Sequence, residues 1–107
     1  MTHAHDRGAF AKELHDAIVK VPGVTRLVSS SPVEVATHFA GGRVAGLRLS
    51  GDVVEVHVAV DRVPVEPVAE KVRALVTERL AAEQDGRPVA VTVADLDLAN
   101  LPRPKGG

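Results

Sequence analysis

A change of hydrophobic period within residues 53–80 constrains the fold more than any other feature of the chain. The apolar residues first alternate, as in a strand with one buried face, at Val54, Val56, Val58 and Val60. They then follow helical spacing at Val68, Val72, Leu75, Val76 and Leu80. The stretch therefore predicts a strand that leads into an amphipathic helix, which should begin near Pro64 or Pro67 and reach about Ala82.

Another amphipathic helix is predicted from Ala9 onward. Its apolar face follows the helical repeat at Phe10, Leu14, Ala17, Ile18 and Val21. Asp6 is a candidate N-cap. Pro22 cannot continue the hydrogen-bond ladder and Gly23 permits a sharp change of direction, so the helix should end there. Residues 24–28 then read as the first strand.

Two further extended runs are predicted between this strand and the valine-rich one. They cover residues 33–40 and 43–49, and each is bounded by Gly, Pro or Ser. Gly41-Gly42 turns the chain between them. A two-residue loop at those glycines would send Phe39 to the wrong face, so we expect a three-residue loop with a bulge.

A two-residue turn at Gly51-Asp52 fixes the register of the next hairpin. This register places three apolar pairs on the core face, which are Leu49 with Val54, Leu47 with Val56, and Ala45 with Val58. On the opposite face it sets Arg48 across from Glu55. Such a charge pair contributes roughly a few tenths of a kcal/mol at an exposed sheet position.

The last strand is predicted at residues 88–98, with Gly86 as the C-terminal cap of the preceding helix. Because that helix carries the chain back along the sheet, the last strand should run parallel to residues 53–60 through a right-handed crossover. We predict an α/β (α+β) two-layer fold of order α-β-β-β-α-β, with both helices on one face of a small mixed sheet. A single domain should cover residues 9–98, between flexible segments at 1–8 and 99–107.

The composition argues against several classes of function. The chain has 13 basic and 14 acidic residues, a formal net charge of -1 and only 2% aromatic residues. A nucleic-acid partner is therefore not expected, since both the basic field and the stacking side chains are lacking. No apolar run approaches the roughly 20 residues of a membrane-spanning helix, so we expect a soluble, cytoplasmic protein without direct membrane insertion.

Few residues suggest catalysis or metal binding. The five histidines are predicted at the flexible start or on solvent-facing positions, namely His3, His5, His15, His38 and His57. No third ligand is evident for a zinc site, and Asp95, Asp97 and Glu55 are interpreted as solvated charges rather than as an acid–base pair in a cleft. We therefore predict no catalytic residue, no cofactor and no metal.

The outer face of the sheet is the remaining candidate for function. It should combine Val44, Val53 and Ala59 with the polar residues Arg48, Glu55 and His57. The last three form the predicted interaction surface, for a protein partner or for self-association.

The order of these elements resembles a known family. Three sequence motifs carry the resemblance, namely Val-Pro-Gly-Val at residues 21–24, Gly-Asp-Val-Val-Glu-Val-His-Val-Ala-Val at 51–60 and Pro-Val-Ala-Glu-Lys-Val-Arg-Ala-Leu-Val at 67–76. In this order they resemble the alkaline shock (Gls-type) envelope stress response family of Gram-positive bacteria, from about Phe10 to Leu98. The resemblance implies a non-enzymatic, protein-binding domain that in some members gathers beneath the cell membrane on a membrane-anchored partner.

Two other readings stay open. A small sheet with two helices on one face also describes KH-like RNA-binding modules, although the Gly-x-x-Gly clamp and a basic face are missing. The chain ends in Gly106-Gly107, as diglycine-tailed carrier proteins do, but such carriers begin with a hairpin rather than a helix.

Overall fold

The computed structural model describes residues 7–29 and 35–97, and the structural statements below refer to these residues. Two helices and six strands follow one another as α1 (Arg7–Ile18), β1 (Val24–Leu27), β2 (Ala36–Phe39), β3 (Gly42–Ala45), β4 (Leu47–Arg48), β5 (Val54–Val60), α2 (Glu66–Ala82) and β6 (Val89–Leu96). Several predicted features lie outside the described residues, namely the Asp6 cap, the start of the run at Val33, Leu98, both terminal segments and the Gly106-Gly107 end.

Strand β5 is the centre of the main sheet. Strand β6 runs parallel to it and pairs with it along its whole length. Strands β1 and β4 are both antiparallel to β5 and pair with different parts of it, β1 with Val58–Val60 and β4 with residues 55–56. Because β6 occupies one edge of β5, β1 and β4 must share the other edge, end to end. Strands β2 and β3 form a separate two-stranded sheet.

The hydrophobic core lies between the inner face of β5 and the two helices. Its members come from both helices and from the sheet, and include Ala11, Leu14, Ile18, Leu47, Val54, Val56, Val58, Val60, Val68, Val72, Val76 and Leu80. Each of these side chains is at most 4% exposed. Both helices therefore cover the same face of the sheet, and the predicted small two-layer α+β fold is confirmed. None of the described helices combines the length and apolarity that a bilayer crossing requires.

The periodicity of residues 53–80 correctly predicted β5, α2 and their partners. Leu47 pairs with Val56 and Arg48 with Glu55, as the Gly51-Asp52 turn required. Helix α2 carries a proline in its first turn and ends at Ala82. Helix α1 begins at Arg7, two residues before the predicted start, and its Gly8 is buried. These agreements arise where a buried strand and a buried helix face both restrict the register.

The predicted order α-β-β-β-α-β roughly matches the observed order, in which five strands rather than three lie between the helices. The run at residues 43–49 is interrupted at Gly46, whose φ is +84°. This left-handed residue reverses which side chains face inward, so Val44 is buried with the core instead of lying on the outer face. Ala45 pairs with Ala36 in the small sheet, and the predicted contact of Ala45 with Val58 is wrong.

The turn between β2 and β3 also differs from the prediction. Phe39 pairs with Gly42, so the loop consists of the two residues Ala40 and Gly41, without the predicted bulge. Gly41 has a φ of +93°, and a Cβ added at this residue would have no other atom within 4 Å. The loop begins one residue before the two glycines. Phe39 therefore remains in β2, on the same face as Thr37, and packs against the core. The prediction failed because it placed both loop positions at glycines.

The hairpin of β2 and β3 is attached to the main sheet by one buried hydroxyl. Thr37 is 3% exposed, and its Oγ1 donates a hydrogen bond to the carbonyl of Leu47 over 2.6 Å. The same oxygen accepts a 3.3 Å hydrogen bond from the amide of Leu49. Both groups face away from β5, one on β4 and one on the residue just after it, so the side chain of Thr37 supplies the hydrogen bonds that a neighbouring strand would supply.

Helix α2 ends in a Schellman motif that contains no glycine. The amide of Gln84 donates to the carbonyl of Ala81, and the amide of Asp85 donates to the carbonyl of Leu80. Gln84 occupies the left-handed position, with a φ of +61°, whereas Gly86 has no positive φ. The predicted cap at Gly86 is therefore wrong by two residues.

Replacing Gln84 by glycine should stabilise the protein by about 1 kcal/mol, because glycine does not pay the steric cost of the left-handed conformation. Urea unfolding followed by far-UV circular dichroism measures the change. The control is Gly86→Ala, which should be neutral or stabilise by up to about 1 kcal/mol through the unfolded chain. A destabilising Gly86→Ala together with a neutral Gln84→Gly would instead make Gly86 the cap.

Candidate functional site

The candidate site is the outer face of the main sheet, which is the face turned away from α1 and α2. Along β5 this face carries Glu55, His57 and Ala59, because the inner face is formed by the alternating valines. Pairing with β4 and β1 adds Arg48 and Arg26 on one side. Pairing with β6 adds Ala90, Thr92 and Asp95 on the other.

One end of this face holds the three predicted interaction residues together. The guanidinium of Arg48 donates a hydrogen bond to Oε2 of Glu55, across the β4–β5 pair. The other carboxylate oxygen of Glu55 lies 4.0 Å from Nε2 of His57. Arg48 and Glu55 are each about one third exposed, at 32% and 31%. We call Arg48, Glu55 and His57 the Arg48 cluster, and the structure confirms that these three residues are neighbours.

His57 is more enclosed than the sequence predicted. Its side chain is 16% exposed rather than solvent-facing, and its Nδ1 is buried without a hydrogen-bond partner among the described residues. The backbone explains part of this burial. The carbonyl of His57 accepts from the amide of Val28 and its amide donates to the carbonyl of Gly46, so His57 lies where β1 ends and β4 approaches. Alternation gave the correct face but not the coverage from neighbouring segments.

The other end of the face holds a cluster that the sequence did not indicate. Arg26 donates through its Nε and one terminal nitrogen to the two oxygens of Asp97, each over 3.1 Å. The same terminal nitrogen lies 3.0 Å from Oδ2 of Asp95. The hydroxyl of Thr25 donates a 2.6 Å hydrogen bond to Oδ2 of Asp97. These four residues form the Arg26 cluster, and its bidentate geometry makes it more specific than an ordinary surface ion pair.

The ion pair of Arg26 and Asp95 passes over Ala59. Arg26 and Asp95 are the neighbours of Ala59 on β1 and β6, which lie on opposite edges of β5. Their side chains therefore meet above it, across roughly 9–10 Å between the outer strands. Ala59 is completely buried although it was predicted to be exposed on the outer face. A small side chain at residue 59 leaves room for this bridge.

Titration of the Arg26 cluster is coupled to the fold. The hydroxyl of Thr25 and, second, the guanidinium of Arg26 hold the pKa of Asp97 below its usual value. The hydrogen bonds from Asp97 and Asp95 in turn raise the pKa of Arg26. A carboxyl group with a lowered pKa in the folded state stabilises that state when ionised. This contribution is complete above the unfolded-state pKa and is lost as the pH falls through the lower folded-state pKa.

The variant Asp97→Asn should therefore lose stability at neutral pH and approach the wild type in acid. We expect its melting temperature to fall less steeply than that of the wild type between about pH 5 and pH 2. Thermal unfolding at a series of pH values measures the difference. The matched control is Glu78→Gln, which removes one carboxylate on the exposed side of α2, away from the Arg26 cluster. Equal slopes for Asp97→Asn and wild type would contradict the coupling.

The remaining candidates for chemistry are dispersed. His15 contacts only its neighbour Asp16, at 3.2 Å, among the described interactions. His38 lies on the β2–β3 hairpin, outside the main sheet. Within residues 7–29 and 35–97, no group of three or more His, Asp or Glu side chains could hold a metal ion. Asp95 and Asp97 are ion-paired with Arg26 rather than simply solvated.

Comparison of the chain with protein-family models, with curated protein sequences and with solved structures gave no match. The resemblance to the alkaline shock family therefore stays a prediction from the three sequence motifs at residues 21–24, 51–60 and 67–76.

Proposed function

We propose that the chain is a non-enzymatic protein-binding or scaffold domain of the envelope stress response type. It acts through self-association or through contact with a membrane-anchored partner, in the cytoplasm at the inner face of the cell membrane. The observation that supports this proposal is the outer face of the sheet, which no described helix covers and which carries two ordered ion-pair clusters. A polar face with an enclosed imidazole fits recognition of another protein surface.

The charge of the outer face favours a protein over RNA. The two clusters bring together two arginines and three carboxylates, so the face has an acidic surplus. Phosphate recognition needs an excess of basic side chains that are free to contact the backbone. Both arginines are instead bound to carboxylates of the same chain. The KH-like alternative therefore gains no support from this surface.

The proposal is tested by partner capture with a charge-reversed variant. Glu55→Lys reverses the centre of the Arg48 cluster, and Glu78→Lys makes the same charge change on the exposed side of α2. Each protein is used as bait with detergent-solubilised membranes and cytosol from the source cells, after circular dichroism has shown that it is folded. We expect one specific partner whose recovery falls at least tenfold with Glu55→Lys and is unchanged with Glu78→Lys.

Two outcomes would overturn the proposal. Partner recovery that is equal for wild type, Glu55→Lys and Glu78→Lys would exclude the outer face as the binding surface. Specific, salt-dependent binding of RNA by the wild type at physiological ionic strength would favour a nucleic-acid module instead.

A further inference from the structure

Among the described residues, strand β6 lies at one edge of the main sheet, with one side paired along its length to β5. It spans Val89–Leu96, 8 residues, and pairs with β5 in parallel. Within the part of the chain that the structure describes, no strand lies along its other edge. An edge of this length presents unpaired backbone groups, which can serve as a template for another strand.

The direction of the unpaired groups follows from one hydrogen bond. The carbonyl of Pro88 accepts a 2.9 Å hydrogen bond from the amide of Val54 on β5. Because backbone groups alternate in direction along a strand, Ala90 and Thr92 also face β5. The amides and carbonyls of the intervening residues therefore point away from the sheet, at Val89, Val91 and Val93.

This edge lacks the features that normally prevent pairing. Residues 89–94 contain no charged residue, no proline and no glycine. Arg87 precedes the strand, but its guanidinium is bound to Asp85 and to the carbonyl of Gly51, 2.8 Å away. The first charged side chain is Asp95, which is engaged by Arg26 on the outer face. By contrast, the outward edge of β4 is covered by Thr37.

We propose that β6 binds a second copy of this chain through antiparallel β6–β6 pairing, with the two-fold axis at Val91. This proposal specifies the self-association in the proposed function, but it assigns that role to the edge of the sheet and not to the outer face. In the dimer the two sheets form one continuous sheet, with all four helices on one side and both outer faces on the other.

Charge favours the antiparallel direction. The Arg26 cluster, with one arginine and two aspartates, gives the end of β6 near Leu96 an acidic surplus. Parallel pairing would bring the two acidic ends together, whereas antiparallel pairing places each beside the neutral Asp85–Arg87 end of the other copy.

The backbone directions select the register. Only residues with outward-pointing groups can exchange hydrogen bonds, and centring them on one another pairs Val91 with Val91 and Val89 with Val93 of the second copy. The exposed residues Ala90 and Thr92 then form non-hydrogen-bonded pairs with each other across the axis, at a Cα separation of about 4.5 Å. That distance is within the range of a disulfide bond.

Cysteine cross-linking tests both the interface and its register. The chain contains no cysteine, so introduced thiols have no competing partner. An oxidised mixture of Ala90→Cys and Thr92→Cys should give a disulfide-linked heterodimer as the main product. Either variant alone should cross-link at least tenfold less, because its own thiols lie roughly 8 Å apart across the axis at Cα. No cross-link in the mixture, or equal cross-linking of the single variants, would overturn the proposed register.

Sedimentation tests the dimer without cross-linking. The wild type should be dimeric, and the double variant Ala90→Lys with Thr92→Lys should be a folded monomer, since it sets lysines directly opposite one another. A strictly monomeric wild type, or a dimer that the lysines do not dissociate, would overturn the proposal. The two proposals can fail separately, because sedimentation of the wild type tests the β6 edge, whereas the recovery of a partner with Glu55→Lys tests the outer face.

Discussion

The variant Gly46→Ala should lose about 2–5 kcal/mol of stability, because Gly46 has a left-handed backbone conformation and is closely packed. Gly46 has a φ of +84°, a conformation that costs an L-residue roughly 1–2 kcal/mol. An added Cβ would also lie 2.7 Å from Cβ of Leu27 and 2.8 Å from the backbone nitrogen of Val28. Backbone atoms cannot move aside as a flexible side chain can, so overpacking adds about 1–3 kcal/mol.

The crowding at Gly46 follows from the topology. Because β1 and β4 share one edge of β5, the chain must pass close to the end of β1 as it enters β4 from β3. Gly46 is at this crossing, where its amide donates to the carbonyl of Val35 over 2.7 Å and its carbonyl accepts from the amide of His57 over 2.8 Å. The substitution would therefore disturb β1, the hairpin and the backbone beside His57 together.

Gly51→Ala is the matched control for this prediction. Gly51 also has a positive φ, +108°, but a Cβ there would meet no atom within 4 Å. It should cost only the backbone term, roughly 1–2 kcal/mol. Urea unfolding by far-UV circular dichroism suits both variants, since the chain has no Trp or Tyr for fluorescence. Equal losses for the two variants would show that the contact with β1 carries no energy.

Gly46 also marks the limit of what alternation can predict. The valines of β5 and the apolar repeat of α2 gave the correct elements because each is buried along its whole length. In residues 43–49 the same rule put Val44 on the outer face and Ala45 in the core. An isolated glycine within a strand pattern is typical of a break in the pleat, and this was the available signal. The alternation of apolar residues does not by itself show whether the inward-facing positions before Gly46 or those after it differ from the simple pattern.

The candidate site was predictable only where pairing is local. The turn at Gly51-Asp52 fixes which residues of β4 and β5 are opposite, so Arg48 and Glu55 could be paired from the sequence. The Arg26 cluster depends on two long-range pairings with β5, one of which shifts register next to Arg26. No local pattern fixes such a shift. The sequence therefore indicated the outer face but only one of its two clusters.

Removing the hydroxyl of Thr37 should have the second large effect. Thr37→Val keeps the shape of the side chain but leaves the carbonyl of Leu47 and the amide of Leu49 without their partner. Each unsatisfied buried group costs about 1–3 kcal/mol, and relaxation recovers part of this, so we expect a loss of about 2–3 kcal/mol. Urea unfolding measures the loss, and faster hydrogen exchange at the amide of Leu49 should accompany it.

Thr37→Ser separates the hydroxyl from the methyl group. Serine retains both hydrogen bonds and loses one buried methyl group, which costs about 0.5–1.5 kcal/mol in comparable substitutions. Serine should therefore be the milder change and should preserve the protection of the Leu49 amide. If valine were the milder change, packing would hold the hairpin and the hydroxyl would be incidental. The expected order makes Thr37 the residue through which the β2–β3 hairpin is attached to β4, and with it the packing of Phe39 against Gly8 of α1.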